Sequence, residues 1–215
     1  MIMKKNTSHT VIRLTAMFLS TLILTSSVPA QETKAIDKAE LNRLDDPVRV
    51  TSVRPKGVRQ ADEGTSSTPA STPAKEKSRS YTSKGVRVII LEDGTRQESP
   101  YVEIPLFFKI NEDNLADAQS EENLKLIANK LKELQKKGAA FSIEGHASID
   151  GDAKRNKELS ILRAIRIQNE LGSLGVPNGA IVSAIGFGSA FAQFNIKAPE
   201  SLRKLDRRVV VVKER

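Results

Sequence analysis

The sequence predicts a two-layer α/β (α+β) sandwich: a βαβαββ mixed sheet with two helices on one face, preceded by an N-terminal hairpin and a disordered linker. Three observations predict it. Two runs, at 120–137 and 152–173, read as helices with one buried face, the first with apolar residues at three- and four-residue steps. Short β-branched or alternating runs precede, separate and follow them, and the last two have no helix between them. The order strand-helix-strand-helix-strand-strand buries one stripe of each helix against a common sheet.

The elements follow in chain order. Val86 to Leu91 is rich in β-branched residues, Glu92-Asp93-Gly94-Thr95 carries an Asp-Gly turn signal, and Tyr101 to Ile110 is a second β-rich run; together they predict a hairpin or two successive strands. Asn111 to Ala118 is polar and loop-like. The first helix, from about Ser120 to Lys137, places Glu121 and Glu122 at the positive end of its dipole. Leu124, Ile127, Leu131 and Leu134 form its apolar face, and Gly138 suits the left-handed position past its end. Ala139 to His146 alternates Phe141 and Ile143 with polar neighbours, as a strand does. The second helix, from about Asp152 to Ser173, has Leu159, Ile167 and Leu171 on its core side and ends at Gly175 and Pro177. Ile181 to Ile185 is a short strand, 186–202 a long loop, and Arg208 to Lys213 a last strand built on four valines.

The region before the fold divides in two. Residues 1–30 have the anatomy of a secretory signal peptide: Lys4, Lys5 and Arg13, then the apolar run Leu14 to Leu24, then small residues at Val28-Pro29-Ala30. An uncleaved membrane anchor is the alternative, but Thr15, Ser20 and Thr21 interrupt the run, and a spanning helix wants about 20 apolar residues. Residues 31–85 read as a flexible Pro/Ser/Thr-rich tether with no firm element. Gly64 to Ala74 in particular has too few apolar groups to offset its ordering entropy. The folded domain is expected over 86–215, with its core at 100–215.

Composition narrows the function. The chain has 215 residues, no cysteine and a net charge of +8. Removing the signal takes away three of the 34 basic residues and none of the 26 acidic ones, leaving +5. With 4% aromatic residues and no tryptophan there is little stacking surface for single-stranded nucleic acid, and nucleic acid is not an expected partner. No catalytic set stands out and no cofactor is expected. Ser160 has no His partner, and Gly186-Phe187-Gly188 is too short for a phosphate loop. His146, the one histidine outside the signal, has no second His or Cys with which to hold a metal, and reads as a strand-end residue satisfied by a neighbour.

The informative block is Ile143-Glu144-Gly145-His146-Ala147-Ser148-Ile149-Asp150-Gly151, followed by Asn156-Lys157-Glu158-Leu159-Ser160-Ile161-Leu162-Arg163-Ala164. It resembles, without a gap, the OmpA-like (OmpA/MotB/Pal) domain family, whose pattern is Gly-His/Tyr-Thr/Ala-Asp/Ser, two residues, Gly, then Asn-x-x-Leu-Ser-x-x-Arg-Ala. The resemblance extends to Phe108 to Asn111, to Leu115, to Gly186-Phe187-Gly188, and to Arg203 with Asp206-Arg207-Arg208-Val209. It covers roughly 100–215. It implies non-covalent binding of the peptidoglycan stem peptide, chiefly its diaminopimelate side chain. In the family an Asp meets the ammonium and the Arg of Leu-Ser-x-x-Arg grips the carboxylate, for which a guanidinium fork is suited.

Carried over residue by residue, the resemblance implies a peptidoglycan site of Arg163, Ser148, Asn111, Asn156, Asp150 and Arg208, with Asn156 closer to a local hydrogen-bonding role. A purely structural Arg163 paired with Asp206 or Glu144 is the alternative. Three positions depart from the pattern: Ser148 stands where many members have Asp, Asp206 replaces Asn, and Ser189 replaces a common Glu. A serine hydroxyl accepts from an ammonium without supplying charge, at an expected loss of about 1–3 kcal/mol unless Asp150 or Asp152 compensates. The expected setting is the periplasm or cell envelope, with envelope proteins as further partners of 31–85.

Overall fold

The computed structural model describes residues 33–52, 75–106, 108, 115 and 117–215. The expected signal peptide and most of the low-complexity stretch lie outside them, as does Asn111.

Seven strands form one curled sheet. They are β1 (Arg49–Thr51), β2 (Glu76–Tyr81), β3 (Val86–Leu91), β4 (Arg96–Ile104), β5 (Phe141–Gly145), β6 (Ile181–Gly186) and β7 (Val209–Lys213). The spatial order is β2-β3-β4-β7-β5-β6, with β1 paired to the early part of β4. All pairs are antiparallel except β5 with β6, which α3 (Ala153–Ser173) links as a crossover helix. The other long helix, α2 (Ala118–Gln135), connects β4 to β5. The βαβαββ order read from the sequence is therefore that of β4-α2-β5-α3-β6-β7.

Local chemistry explains the element ends. Asp93 accepts from the Thr95 amide at 2.8 Å and Gly94 takes φ +81°, closing the hairpin between β3 and β4. Asp117 caps α2 by accepting from the Ser120 amide at 2.7 Å, so the helix starts slightly earlier than its apolar pattern does. Gly138 follows at φ +87°, in the left-handed position expected of it. Asp152 caps α3 in the same way through Arg155.

The core lies between the helices and one sheet face. Leu124, Ile127, Leu131, Ile167 and Leu171 meet Val102, Ile104, Phe141, Ile143, Val209 and Val211 there. The opposite sheet face is also covered. Tyr101, Val210 and Val212 pack with Tyr81 on it, and every residue of β5 and of β7 is buried. The alternation in β5 thus does not mark a solvent face, because the curl of the sheet brings β2 and β3 over Ser142 and Glu144.

Both ends of the stretch expected to be a tether hold defined elements. Residues 33–52 hold α1 (Lys38–Leu41), a 3-10 turn (Asn42–Asp45) and β1, and they put Ile36, Leu41 and Leu44 into the core. The stretch lacks a long periodic pattern because distant polar side chains fix it. Asn123 accepts from the Ile36 amide at 2.9 Å and donates to Lys34 O and Pro105 O. The Lys213 ammonium donates to Leu44 O and Asp46 O. Residues 76–81 form β2. The 186–202 loop carries a final one-turn helix, α4 (Glu200–Arg203). Among the described residues no helix is long and apolar enough to cross a membrane.

Candidate functional site

The site is assembled where α3 crosses the ends of β5 and β6. Two glycines allow the helix to lie there. A Cβ on Gly145 would stand 2.1 Å from Ser160 O, and one on Gly186 would stand 2.3 Å from Ile161 N. Ser160 then works as a staple: its hydroxyl donates to Lys157 O and accepts from the Gly188 amide, each at 2.8 Å. Gly188 in turn accepts from the Ala147 amide at 2.8 Å. The Gly-Phe-Gly segment and the Leu-Ser pair of the motif therefore hold the chain on either side of the 146–152 loop.

That loop is fixed from α3. The Asn156 amide group donates to Ser148 O at 3.0 Å and to Asp150 O at 2.7 Å, the local role expected of it. The Asp150 carboxylate faces Arg203 at 2.7 Å and Arg207 at 3.8 Å. Both guanidinium groups also meet Glu200, Arg203 at 3.0 Å. Arg207 reaches the Ser148 hydroxyl at 3.4 Å. Its hydrogen bond holds the Glu200 carboxyl below the usual carboxylate range. Ser148, Asp150, Asn156, Arg203, Arg207 and Glu200 are thus one connected cluster, of which the first three are expected site residues and Arg203 and Arg207 belong to the wider motif.

Arg163 is buried on the next turns of α3, its guanidinium carbon 4.8 Å from the centre of the Phe108 ring. The two acidic groups considered as structural partners for it are engaged elsewhere. Asp206 is fully buried and accepts from the Gln193 and Phe194 amides and from Arg208, which explains an acid where the family pattern has Asn. Arg208, a candidate ligand residue, is itself buried between Asp206 at 3.3 Å and Glu103 at 3.2 Å. Burial pushes the Glu103 carboxyl up despite that guanidinium.

Sequence reading missed a second polar centre on the opposite sheet face. Glu144 is fully buried and accepts from Arg87 at 2.9 Å, from the Tyr81 hydroxyl at 2.7 Å and from Arg79. Arg87 also pairs with Glu214 at 2.6 Å and donates to Ser99. Burial and the Glu144 charge push the Tyr81 phenol up. Next to this centre His146 packs among Tyr81, Phe187 and Phe191, with ring centres 5.2–6.0 Å apart. The expectation that a neighbour would satisfy His146 fails: neither ring nitrogen has a hydrogen-bond partner among the described residues. Burial, with the charges of Arg208 and Arg79, lowers its pKa to about 3, so the ring is neutral. Among the described residues no group of acidic or His side chains is arranged to hold a metal ion.

Several solved structures are similar to this chain. The peptidoglycan-associated lipoprotein of Burkholderia pseudomallei is 22% identical, covering 51% of this chain and 88% of that one, with a TM-score of 0.45. The C-terminal domain of Helicobacter pylori MotB is 18% identical, covering 53% and 84%, with a TM-score of 0.46. An outer membrane protein of Borrelia burgdorferi is 21% identical, covering 63% and 93%, with a TM-score of 0.40. The model of the OmpA family matches residues 107–204, a span that includes the whole motif from Gly145 to Ala164 and the cluster around Ser148 apart from Arg207. Residues 107–204 thus match the model of the OmpA family.

Proposed function

We propose that this protein is a non-enzymatic, exported cell-wall-binding protein that holds the peptidoglycan stem peptide non-covalently through its OmpA-family domain. The observation that carries the reading is the unbroken Gly145-to-Ala164 motif inside that domain, with Arg163 at its Leu-Ser-x-x-Arg position. A buried guanidinium backed by the Phe108 ring is pre-oriented, so little rotamer entropy is lost when it takes a ligand carboxylate. Asn156 and Ser160 supply the support, fixing the 146–152 loop and the 188 turn. In this reading residues 1–30 direct export and the chain acts in the periplasm or envelope.

One observation favours a second reading. Asp150, the acid best placed in sequence to compensate for Ser148, is engaged by Arg203 and Arg207. In that reading the domain is an interaction module of an envelope secretion or motility apparatus that keeps the fold without the wall ligand.

Sedimentation with purified sacculi containing diaminopimelate separates the two. The wall-binding reading expects the wild type to sediment and Arg163→Ala to remain soluble while still folded. If the wild type stays in solution, the interaction-module reading replaces it.

A further inference from the structure

The carboxylates around Ser148 all stand beside guanidinium groups. Asp150 meets Arg203 and Arg207, Glu200 meets the same two guanidinium groups, and Asp206 is taken by two backbone amides and Arg208. Each of these three anions already faces at least one guanidinium group, and Asp150 Oδ2, which has no hydrogen-bond partner among the described residues, is closed off from solvent. A cation stands at the Ser148 hydroxyl, since Arg207 donates to Oγ at 3.4 Å. A hydroxyl that accepts from Arg207 still has its own proton to give, so it suits a ligand acceptor. An ammonium carries only donors and a charge of the same sign as Arg207, so it is mismatched in both respects.

The stem-peptide side chain occurs in two chemical forms at this end. Un-cross-linked, its amine is a free ammonium. Cross-linked, the same nitrogen is acylated and becomes an uncharged amide, whose carbonyl oxygen is an acceptor. Resting on the peptidoglycan reading, we propose that this site takes the diaminopimelate side chain in its acylated, cross-linked form, with Ser148 and Arg207 as the pair that sets the preference. The Ser148 hydroxyl donates to the amide carbonyl, and Arg207 holds the hydroxyl in that orientation and disfavours the free ammonium. Asn156 fixes the backbone on which Ser148 stands, through Ser148 O.

The test compares two synthetic probes on the purified full chain: the L-Ala-γ-D-Glu-diaminopimelate tripeptide with its side-chain amine free, and the same tripeptide acetylated there. Titration calorimetry is run beside sacculus sedimentation. The acetylated probe is expected to bind at least as tightly as the free amine. Ser148→Asp, which restores an anion, is expected to turn the ratio toward the free amine by about tenfold or more. Arg207→Gln, which removes the opposing charge, is expected to narrow the wild-type ratio, and it serves where Ser148→Asp does not fold. A wild type that favours the free amine tenfold overturns the proposal, as does an unchanged ratio in folded variants. So does binding to sacculi with no binding to either probe. If the wild type fails to sediment with sacculi at all, the wall-binding reading falls and this proposal with it.

Discussion

Arg87 Nη1 donates to Glu144 Oε1 at 2.9 Å across the inside of the curled sheet, from β3 to β5, with both side chains excluded from solvent. The sheet order separates these two strands by β4 and β7, so the pair records how far the sheet closes on itself. Charges buried this deeply cost several kcal/mol each to desolvate, which their mutual attraction and added hydrogen bonds must offset. Here Arg79, Tyr81, Ser99 and Glu214 supply those bonds. The network ties β2 and β3, which lie before the family-matched segment, to the centre of that segment.

Removing the carboxylate charge leaves two buried guanidinium groups facing each other. Glu144→Gln is expected to lower stability by about 3–5 kcal/mol in urea unfolding. A loss below about 1 kcal/mol would mean that the arginines find other partners and that the network does not close the sheet.

His146 gives the protein an acid-sensitive stability. Its pKa falls from 6.5 to about 3 on folding, because burial and the cations Arg208 and Arg79 oppose the charged ring. Between those values the unfolded chain binds a proton that the folded chain does not. The full stability is therefore present above pH 6.5 and declines as pH falls, by roughly 1.4 kcal/mol per pH unit, until the folded pKa is passed. Glu214, whose carboxyl the hydrogen bond from Arg87 lowers against the effect of burial, adds to the loss only below the ordinary carboxylate range. Glu103, which burial pushes up, opposes the loss above the ordinary carboxylate range, so the histidine is read between pH 6.5 and 5 from the difference between wild type and variant. His146→Phe, which keeps the aromatic packing, is expected to flatten denaturation midpoints across that window; an unchanged slope would assign the effect elsewhere.

The strap at residues 33–46 makes the folded unit larger than the apolar patterns imply. A fragment beginning at residue 86 lacks Ile36, Leu41 and Leu44 and leaves Asn123 without two of its partners. It is expected to melt well below the full chain or to aggregate. In the intact chain, Leu44→Ala is expected to cost about 2–5 kcal/mol, as for a fully buried leucine. Equal melting temperatures for the fragment and the full chain would show that the strap is dispensable.

Local order is legible in the sequence, and order that depends on tertiary contacts is not. Leu124, Ile127, Leu131 and Leu134 state their helix by spacing alone, and Asp93-Gly94 and Gly138 state their turns by backbone preference. Ile36, Leu41 and Leu44 show no long period, because Asn123 and Lys213 hold that segment from 87 and 169 positions away. Glu144 and Ser142 alternate with Phe141 and Ile143 as solvent-facing residues would. Only the curl that brings Arg79, Arg87 and Glu214 against them shows otherwise. At the site, Asn156 and Arg163 were legible from the motif. The joining of Ser148 to Arg207 was not, since it depends on how the chain returns from α4 to β7.

The glycines beneath α3 test how closely the site depends on helix placement. Alanine at Gly186 would bring its methyl to 2.3 Å from Ile161 N and 2.6 Å from Ser160 C, both backbone atoms that only a shift of the whole helix relieves. That shift would also break the bond from the Gly188 amide to Ser160 and move Asn156 away from Ser148 O. Gly186→Ala is expected to cost about 1–3 kcal/mol or more of stability, as overpacking does, and to weaken the proposed wall binding beyond that loss. Gly172 on the same helix supplies the control, because a methyl there meets open space. Gly172→Ala is expected to raise stability by about 0.5–1 kcal/mol through helix propensity, with wall binding unchanged. Thermal melting and sacculus sedimentation of the two variants give the comparison. A Gly186→Ala protein that melts and sediments like Gly172→Ala would show that α3 can be displaced without disturbing the site.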